Sequence, residues 1–300
     1  MTNALVERDT LSTGGVAIRA FGTMEVVSDG ATVPVTSHLQ RVLLSALLVH
    51  RGAVVPVPTL VGWMWPTGAP EAAMRNLRFH AHRLRRLLGD VASIRYQAPG
   101  YVLTVPDTDV DVCCFESLAH QGRAARASGD EPGGAALLRQ AISLCRGPAF
   151  HGLEEVAELA IESQRLSELR LAVLEERIAA ELALGTGSAA LVSELTALVA
   201  THPFRERFRA QLMTALYRCG RKADALGVYR DGRQLLIDEL GIEPNPECQA
   251  IERAILSDDI SLTSPHQPER PQPRIPAAAL HPRFLARTHR SPTEMAVATG

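Results

Sequence analysis

The sequence predicts a mainly α-helical fold with a small β component, in which a winged helix-turn-helix unit precedes an all-helical, tetratricopeptide-like repeat region. Three observations predict it. Short stretches rich in β-branched residues, bounded by turn residues, lie at the front of the chain and again over 94–105. Between them, apolar residues recur at helical spacing in segments that end at glycine or proline. From Asp111 to about residue 256 the helical period is almost unbroken.

At the front, Val16–Phe21, Met24–Val27 and Ala31–Val35 read as strands, with turns at Gly22-Thr23 and Asp29-Gly30. Asp-Gly is a strong hairpin signal. A first helix is expected over His38–His50. Ser37 and Gln40 have capping-box spacing, Gly52 lies past the end, and Leu39, Leu43, Ala46 and Leu47 form its stripe. A second runs from Pro58 to Trp65 and stops at Pro66; a third runs from near Pro70 to Gly89. Ile94–Tyr96 and Tyr101–Val105 then pair across a Pro99-Gly100 turn. Sheet, three helices and a closing hairpin together describe a winged helix.

Further helices are expected at about 112–128, 132–145, 155–184, 188–200, 204–219, 221–239 and 246–256, punctuated by Gly129, Gly185 and Gly220. Gly185 and Gly220 stand 35 residues apart, each followed five residues later by an alanine, Ala190 or Ala225, and Tyr229 follows at a large-residue position. That spacing is close to the tetratricopeptide period. The expected domains are a disordered leader (1–15), a winged-helix domain (16–106), a helical domain (107–256) and a proline-rich disordered tail (257–300).

Bulk properties exclude several classes. With 46% hydrophobic and 21% charged residues, the 300-residue chain can bury globular cores. No apolar run approaches the roughly 18 residues of a membrane span, and the first residues lack the apolar core of a secretory signal, so a cytoplasmic location is expected. Cys113, Cys114, Cys145, Cys219 and Cys248 include no CxxC pair and read as buried free thiols. His80 and His82, two apart on a helix, point about 200° from each other and cannot share a metal ion. No metal and no cofactor are expected. Without an HExxH, a G-x-S-x-G or a phosphate-cradling glycine loop, an enzyme is not expected either.

A net charge of −2 excludes a uniformly basic nucleic-acid coat, but charge is clustered. Between Arg75 and Asp90 there is no acid. Placed on a wheel at about 100° per residue, Leu77, Ala81, Leu84 and Leu88 fall together with Met74 beside them. Arg75, Asn76, Phe79, His82, Arg83 and Arg86 take the opposite face, with Arg78 and Arg85 on a flank. Arginine forks guanine, asparagine pairs with adenine, and a ring contacts the thymine methyl, so this face has the chemistry of a base reader in a major groove. The flanking arginines suit phosphates. The expected partner is double-stranded promoter DNA; a protein-binding repeat scaffold and a repressor on the same fold are the alternatives.

The residues in order also resemble a known family. Phe21-Gly22, Gln40-Arg41, Leu43-Leu44, Leu60-Val61, Trp65, Asn76-Leu77, Arg83-Leu84-Arg85, Leu87-Leu88 and Pro99-Gly100-Tyr101 carry it in the first half. In the second half Asp111, Phe115-Glu116, Arg146-Gly147-Pro148-Ala149, Arg165-Leu166, His202-Pro203, Gly220-Arg221, Tyr229-Arg230 and Glu239-Leu240-Gly241-Ile242-Glu243-Pro244 continue it. Over about residues 16–256 the chain resembles the Streptomyces antibiotic regulatory proteins (SARPs), which join an OmpR-type winged helix to a bacterial transcriptional activation domain. The resemblance implies a pathway-specific activator of an antibiotic or other secondary-metabolite gene cluster. It implies binding to direct repeats near the promoter −35 region by a dimer or side-by-side protomers, and recruitment of RNA polymerase holoenzyme. It also implies a wing at the DNA backbone, here Arg95, Gln97 and Tyr101, with Gln97-Ala98 where relatives carry an arginine. Cys145 stands where the family usually has tryptophan, which implies looser packing there.

Overall fold

The structure, a computed structural model, describes residues 17–28, 30–185 and 189–259. The expected leader, Asp29 of the first hairpin turn and the tail from residue 260 on lie outside the described residues.

The front of the chain forms an antiparallel sheet of β1 (Ile18–Arg19), β2 (Glu25–Ser28) and β3 (Ala31–Pro34), with Ile18 opposite Val26 and Val26 opposite Val33. β1 is shorter than the sequence suggests. Beyond Arg19 the backbone leaves the ladder: the Ala20 and Phe21 amides turn to the carboxylate of Asp111, and Phe21 bridges to Ala149.

Three helices follow: α1 (His38–Val49), α2 (Val57–Met64) and α3 (Ala73–Leu88). α1 is buried without interruption from Val42 to Leu48, more widely than the expected stripe, because it lies under α2 and α3 at once. Ser37 occupies its N-cap position in extended geometry, but its hydroxyl makes no capping bond; the expected box does not form.

The wing is a hairpin of β5 (Ser93–Gln97) and β6 (Gly100–Thr104), with Tyr96 opposite Tyr101. A two-residue strand that the sequence reading missed, β4 (Val55–Pro56), pairs on the other side of β6. Two residues are too few to show a period. The pairing depends on Gly100: a Cβ there would sit 1.8 Å from the Val55 carbonyl oxygen.

The seven expected helices are all present: α4 (Asp111–Ala127), α5 (Glu131–Leu144), α6 (Ala157–Ala183), α7 (Ala189–Thr201), α8 (Glu206–Arg218), α9 (Lys222–Leu240) and α10 (Pro246–Leu256). They stack largely as successive antiparallel neighbours. The repeat holds at α8–α9, where Ala225 and Tyr229 are buried and Gly232 lies against the Arg209 side chain. It fails at Ala190, which is exposed. There Leu191 and Leu195 face the core instead.

The apolar interior does not divide at residue 106. One continuous cluster of buried side chains runs from Ile18 through the winged helix to Leu166 and Val173. A second runs from Leu171 to Ile255. The two abut inside α6, whose 27 residues extend for about 40 Å. All five thiols are free; Cys113 and Cys248 are buried, Cys114 and Cys145 half-buried, and Cys219 exposed, so the expectation of buried thiols holds only in part.

Candidate nucleic-acid interface

α3 is held from beneath by Leu77, Ala81, Leu84 and Leu88, each fully buried, with Ala73 at its first turn. Met74, expected beside them, is 44% exposed. It lies at the edge of the apolar stripe, in a concave surface of about 650 Å³ lined by Glu71, Ala72, Met74, Arg75 and Arg78.

The opposite face presents Arg75, Phe79, His82, Arg83 and Arg86 to solvent, with Asn76 half-buried at its margin. The helix contains no acidic residue. Phe79 is 54% exposed in the middle of this face. The Arg83 guanidinium stacks over that ring at 5.8 Å from its centroid, and the imidazole of His80 meets it edge-on. Burial first, and Arg83 second, hold His80 below the usual imidazole range, so it adds no charge to the face near neutrality.

The charges of α3 differ from those of most arginines in the helical region. In the helical region Arg123, Arg126, Arg139, Arg165, Arg177, Arg205 and Arg233 each pair with a glutamate. Among the described residues Arg75, Arg78, Arg83, Arg85 and Arg86 pair with no carboxylate. Uncompensated guanidinium groups along one exposed face produce a local positive field despite the negative total.

The flank and the wing require corrections. Arg78 is exposed as expected. Arg85 is half-buried: its Nε donates to the Ile94 carbonyl oxygen at 2.7 Å and its guanidinium lies 5.9 Å from the Tyr101 ring centroid. It fastens α3 to the wing instead of standing free beside it. Tyr101 is only 5% exposed, because β6 is the central strand of its sheet and this side chain packs inward under Arg85. Arg95 and Gln97 are exposed on β5, where the Arg95 Nε donates to Ser93 Oγ at 3.1 Å. The exposed aromatic of the wing is Tyr96, 59% exposed and edge-on to Tyr101. Sequence reasoning missed it, since strict alternation places Tyr96 on the buried side with Ile94.

Residues 110–256 match the family model of the bacterial transcriptional activator domain. The chain is 35% identical to the regulatory protein DnrI of Streptomyces peucetius, over 87% of this chain and 97% of that one. It is 38% identical to the regulatory protein AfsR of Streptomyces griseus over 83% of this chain, which amounts to only 24% of that longer protein. Among solved structures, Mycobacterium tuberculosis EmbR in complex with a low affinity phosphopeptide superposes with a TM-score of 0.75 at 30% identity, covering 83% of this chain and 68% of that one.

Proposed function

The chain belongs to the SARP family of transcriptional regulators, a family of regulators and not of enzymes, and from that premise we propose that it is a sequence-specific DNA-binding activator. Residues 16–106 read promoter DNA and residues 107–256 carry activation. α3 enters the major groove, where Arg75, Asn76, Phe79, His82, Arg83 and Arg86 face base edges. Arg78, Arg95 and Gln97 lie toward the sugar-phosphate backbone. Two protomers occupy direct repeats side by side near a −35 element and recruit RNA polymerase holoenzyme. The genes controlled form a pathway for a secondary metabolite, and the protein acts in the cytoplasm.

The observation that carries this reading is the set of unpaired arginines on α3. A surface helix stabilised for its own sake mixes charge signs at i,i+4. This one instead carries five arginines and no acid, with the Arg83 guanidinium over an exposed ring, and arginine is the residue type that suits guanine and phosphate. The test is a gel shift against the promoters neighbouring the gene at two salt concentrations, followed by runoff transcription with polymerase. Retarded complexes that weaken steeply with salt, and more transcript, are expected. Absence of any complex at low salt overturns the reading in favour of a protein-binding scaffold, and less transcript makes the protein a repressor.

A further inference from the structure

Two side chains on α3 are not independent of one another. Phe79 and Arg83 stand four residues apart, so they leave the same side of the helix one above the other. Both are exposed. The guanidinium carbon of Arg83 lies 5.8 Å from the centroid of the Phe79 ring, within the reach of a cation–π contact, about 6 Å. The ring is itself buttressed. The imidazole of His80 meets it edge-on with centroids 5.4 Å apart, and the Nδ1 of that half-buried imidazole is enclosed by protein. Arg85, whose guanidinium also lies over a ring, is turned away to Tyr101 and the wing.

The stack constrains where the two groups go in a groove. An arginine free in solvent gives up its rotamer freedom when it forks a base. Arg83 has already given up part of that freedom to the ring, so fork and ring enter the groove together at a set spacing. Four residues of helix rise about 6 Å. The major groove runs obliquely to the stacked base pairs, so a helix lying in it advances less along the duplex than along its own axis. About 6 Å of helix then spans about one base-pair step of 3.4 Å. Chemistry assigns the two places. Guanine offers O6 and N7 to the fork, and the C5 methyl of thymine is the apolar group of the major-groove edge that suits a ring.

We propose that Phe79 and Arg83 form one reading unit that selects a dinucleotide step, a G·C pair next to a T·A pair, with Phe79 acting both as the methyl contact and as the positioning residue for Arg83. This rests on the placement of α3 in the major groove proposed in the previous subsection, and it goes beyond it by tying two base preferences to each other. Residues that merely share a face read their bases separately, and losing one leaves the preference of the other intact. A coupled pair behaves differently. Without the ring, the fork loses part of its preference for guanine although no atom that touches guanine has changed.

The test begins by selecting preferred duplexes for the full chain from a pool with a randomised centre. In the selected duplex each guanine in turn is replaced by 7-deazaguanine, which lacks N7, and each thymine by uracil, which lacks the methyl. Fluorescence anisotropy gives the affinities of the parent, Arg83→Ala, Phe79→Ala and Phe79→Leu. In the parent, one guanine replacement should weaken binding about tenfold and one thymine replacement about threefold, on neighbouring base pairs. Arg83→Ala should lose the guanine response. Phe79→Leu keeps an apolar contact but no π face, so it should keep the thymine response and lose most of the guanine one; Phe79→Ala should lose both. Sensitive bases that are not neighbours, or a parental guanine response in Phe79→Leu, overturn the proposal. A pool that yields no preferred sequence overturns the DNA reading itself, a result distinct from a preferred sequence that lacks the coupled step. The analogue scan on the unaltered chain decides whether the two bases are neighbours even if a variant does not fold.

Discussion

The Asp111 carboxylate accepts a hydrogen bond from the Ala20 backbone amide at 2.8 Å, across 91 positions of sequence. The same group takes the Phe21 amide at 3.0 Å and the Val112 amide at 2.8 Å. Only 2% of Asp111 is exposed. One side chain at the start of α4 thus satisfies the amides that β1 releases when it leaves the sheet, and it satisfies them where water cannot. Removing it in Asp111→Ala would strand these donors, at a cost of about 1–3 kcal/mol for each one left buried. Urea denaturation should show the winged helix and α4 losing stability together.

The pH dependence of that link has a definite sign. Burial, the largest influence, holds the Asp111 carboxyl above the ordinary aspartate value, against the three amide bonds and the Arg146 charge that draw it down. A raised folded-state value means that the native protein keeps a proton the unfolded chain has released. The associated stability is complete below about pH 4 and is lost as pH rises through the folded value. The stability margin of the parent over Asp111→Asn should therefore narrow as pH rises across that window. A margin that widens there refutes the burial argument.

Arg83→Ala and Leu84→Ala should separate recognition from folding. Arg83 is exposed and stacks over the Phe79 ring, so its loss should cost about 1–3 kcal/mol of specific operator affinity with the melting temperature nearly unchanged. Leu84 is fully buried, so truncation should cost about 2–5 kcal/mol of stability through the cavity it leaves. Fluorescence anisotropy on labelled operator and thermal melting measure the two quantities. Unchanged operator affinity in Arg83→Ala refutes the proposed facing of α3 toward DNA.

Arg85→Ala should behave unlike Arg83→Ala. Its Nε bond to the Ile94 oxygen and its place over Tyr101 tie α3 to the wing. Loss of a charge-assisted bond of this kind costs about 1.5–3 kcal/mol, so stability should fall along with DNA affinity. Hydrogen exchange should speed up at the β5 and β6 amides. A variant with parental stability and weakened binding would restore Arg85 to a plain phosphate contact.

Gly232→Ala tests the second core. A Cβ at that position would lie 2.2 Å from Arg209 Nε and 2.3 Å from its Cδ. Arg209 is 6% exposed, and its Nη2 donates to the Pro203 oxygen, so it cannot swing clear without breaking that bond. A loss of about 1–3 kcal/mol is expected from the overpacking, visible in chemical denaturation. Parental stability would mean that the guanidinium moves freely.

Helical periodicity made α4 to α10 and the two faces of α3 legible before any coordinates, because seven or more apolar positions in phase outweigh local exceptions. The exceptions are contacts between distant stretches. Ser37 stands at a cap position, yet nothing local forces its hydroxyl to bond. Tyr101 and Arg85 were expected outside, and it is the pairing of the wing against α3 that draws them in. Ala190 misled because 35 residues of spacing match the repeat while the helix turns Leu191 and Leu195, not the alanine, to the core. Asp111 did leave a trace, an acid between Val110 and Val112 where an apolar run should have continued, but its partners lie 90 and 91 residues away. The arginine face was readable in composition. Its lack of counter-ions was not, since pairing depends on which helices become neighbours.

The cluster that runs unbroken from Ile18 to Val173 makes the winged helix and the first helices behind it one folding commitment. Chimaeras that exchange the front of this chain for that of a relative should tolerate a seam within α6 far better than one between β6 and α4. Specificity can then be transplanted, but only with its foundations attached.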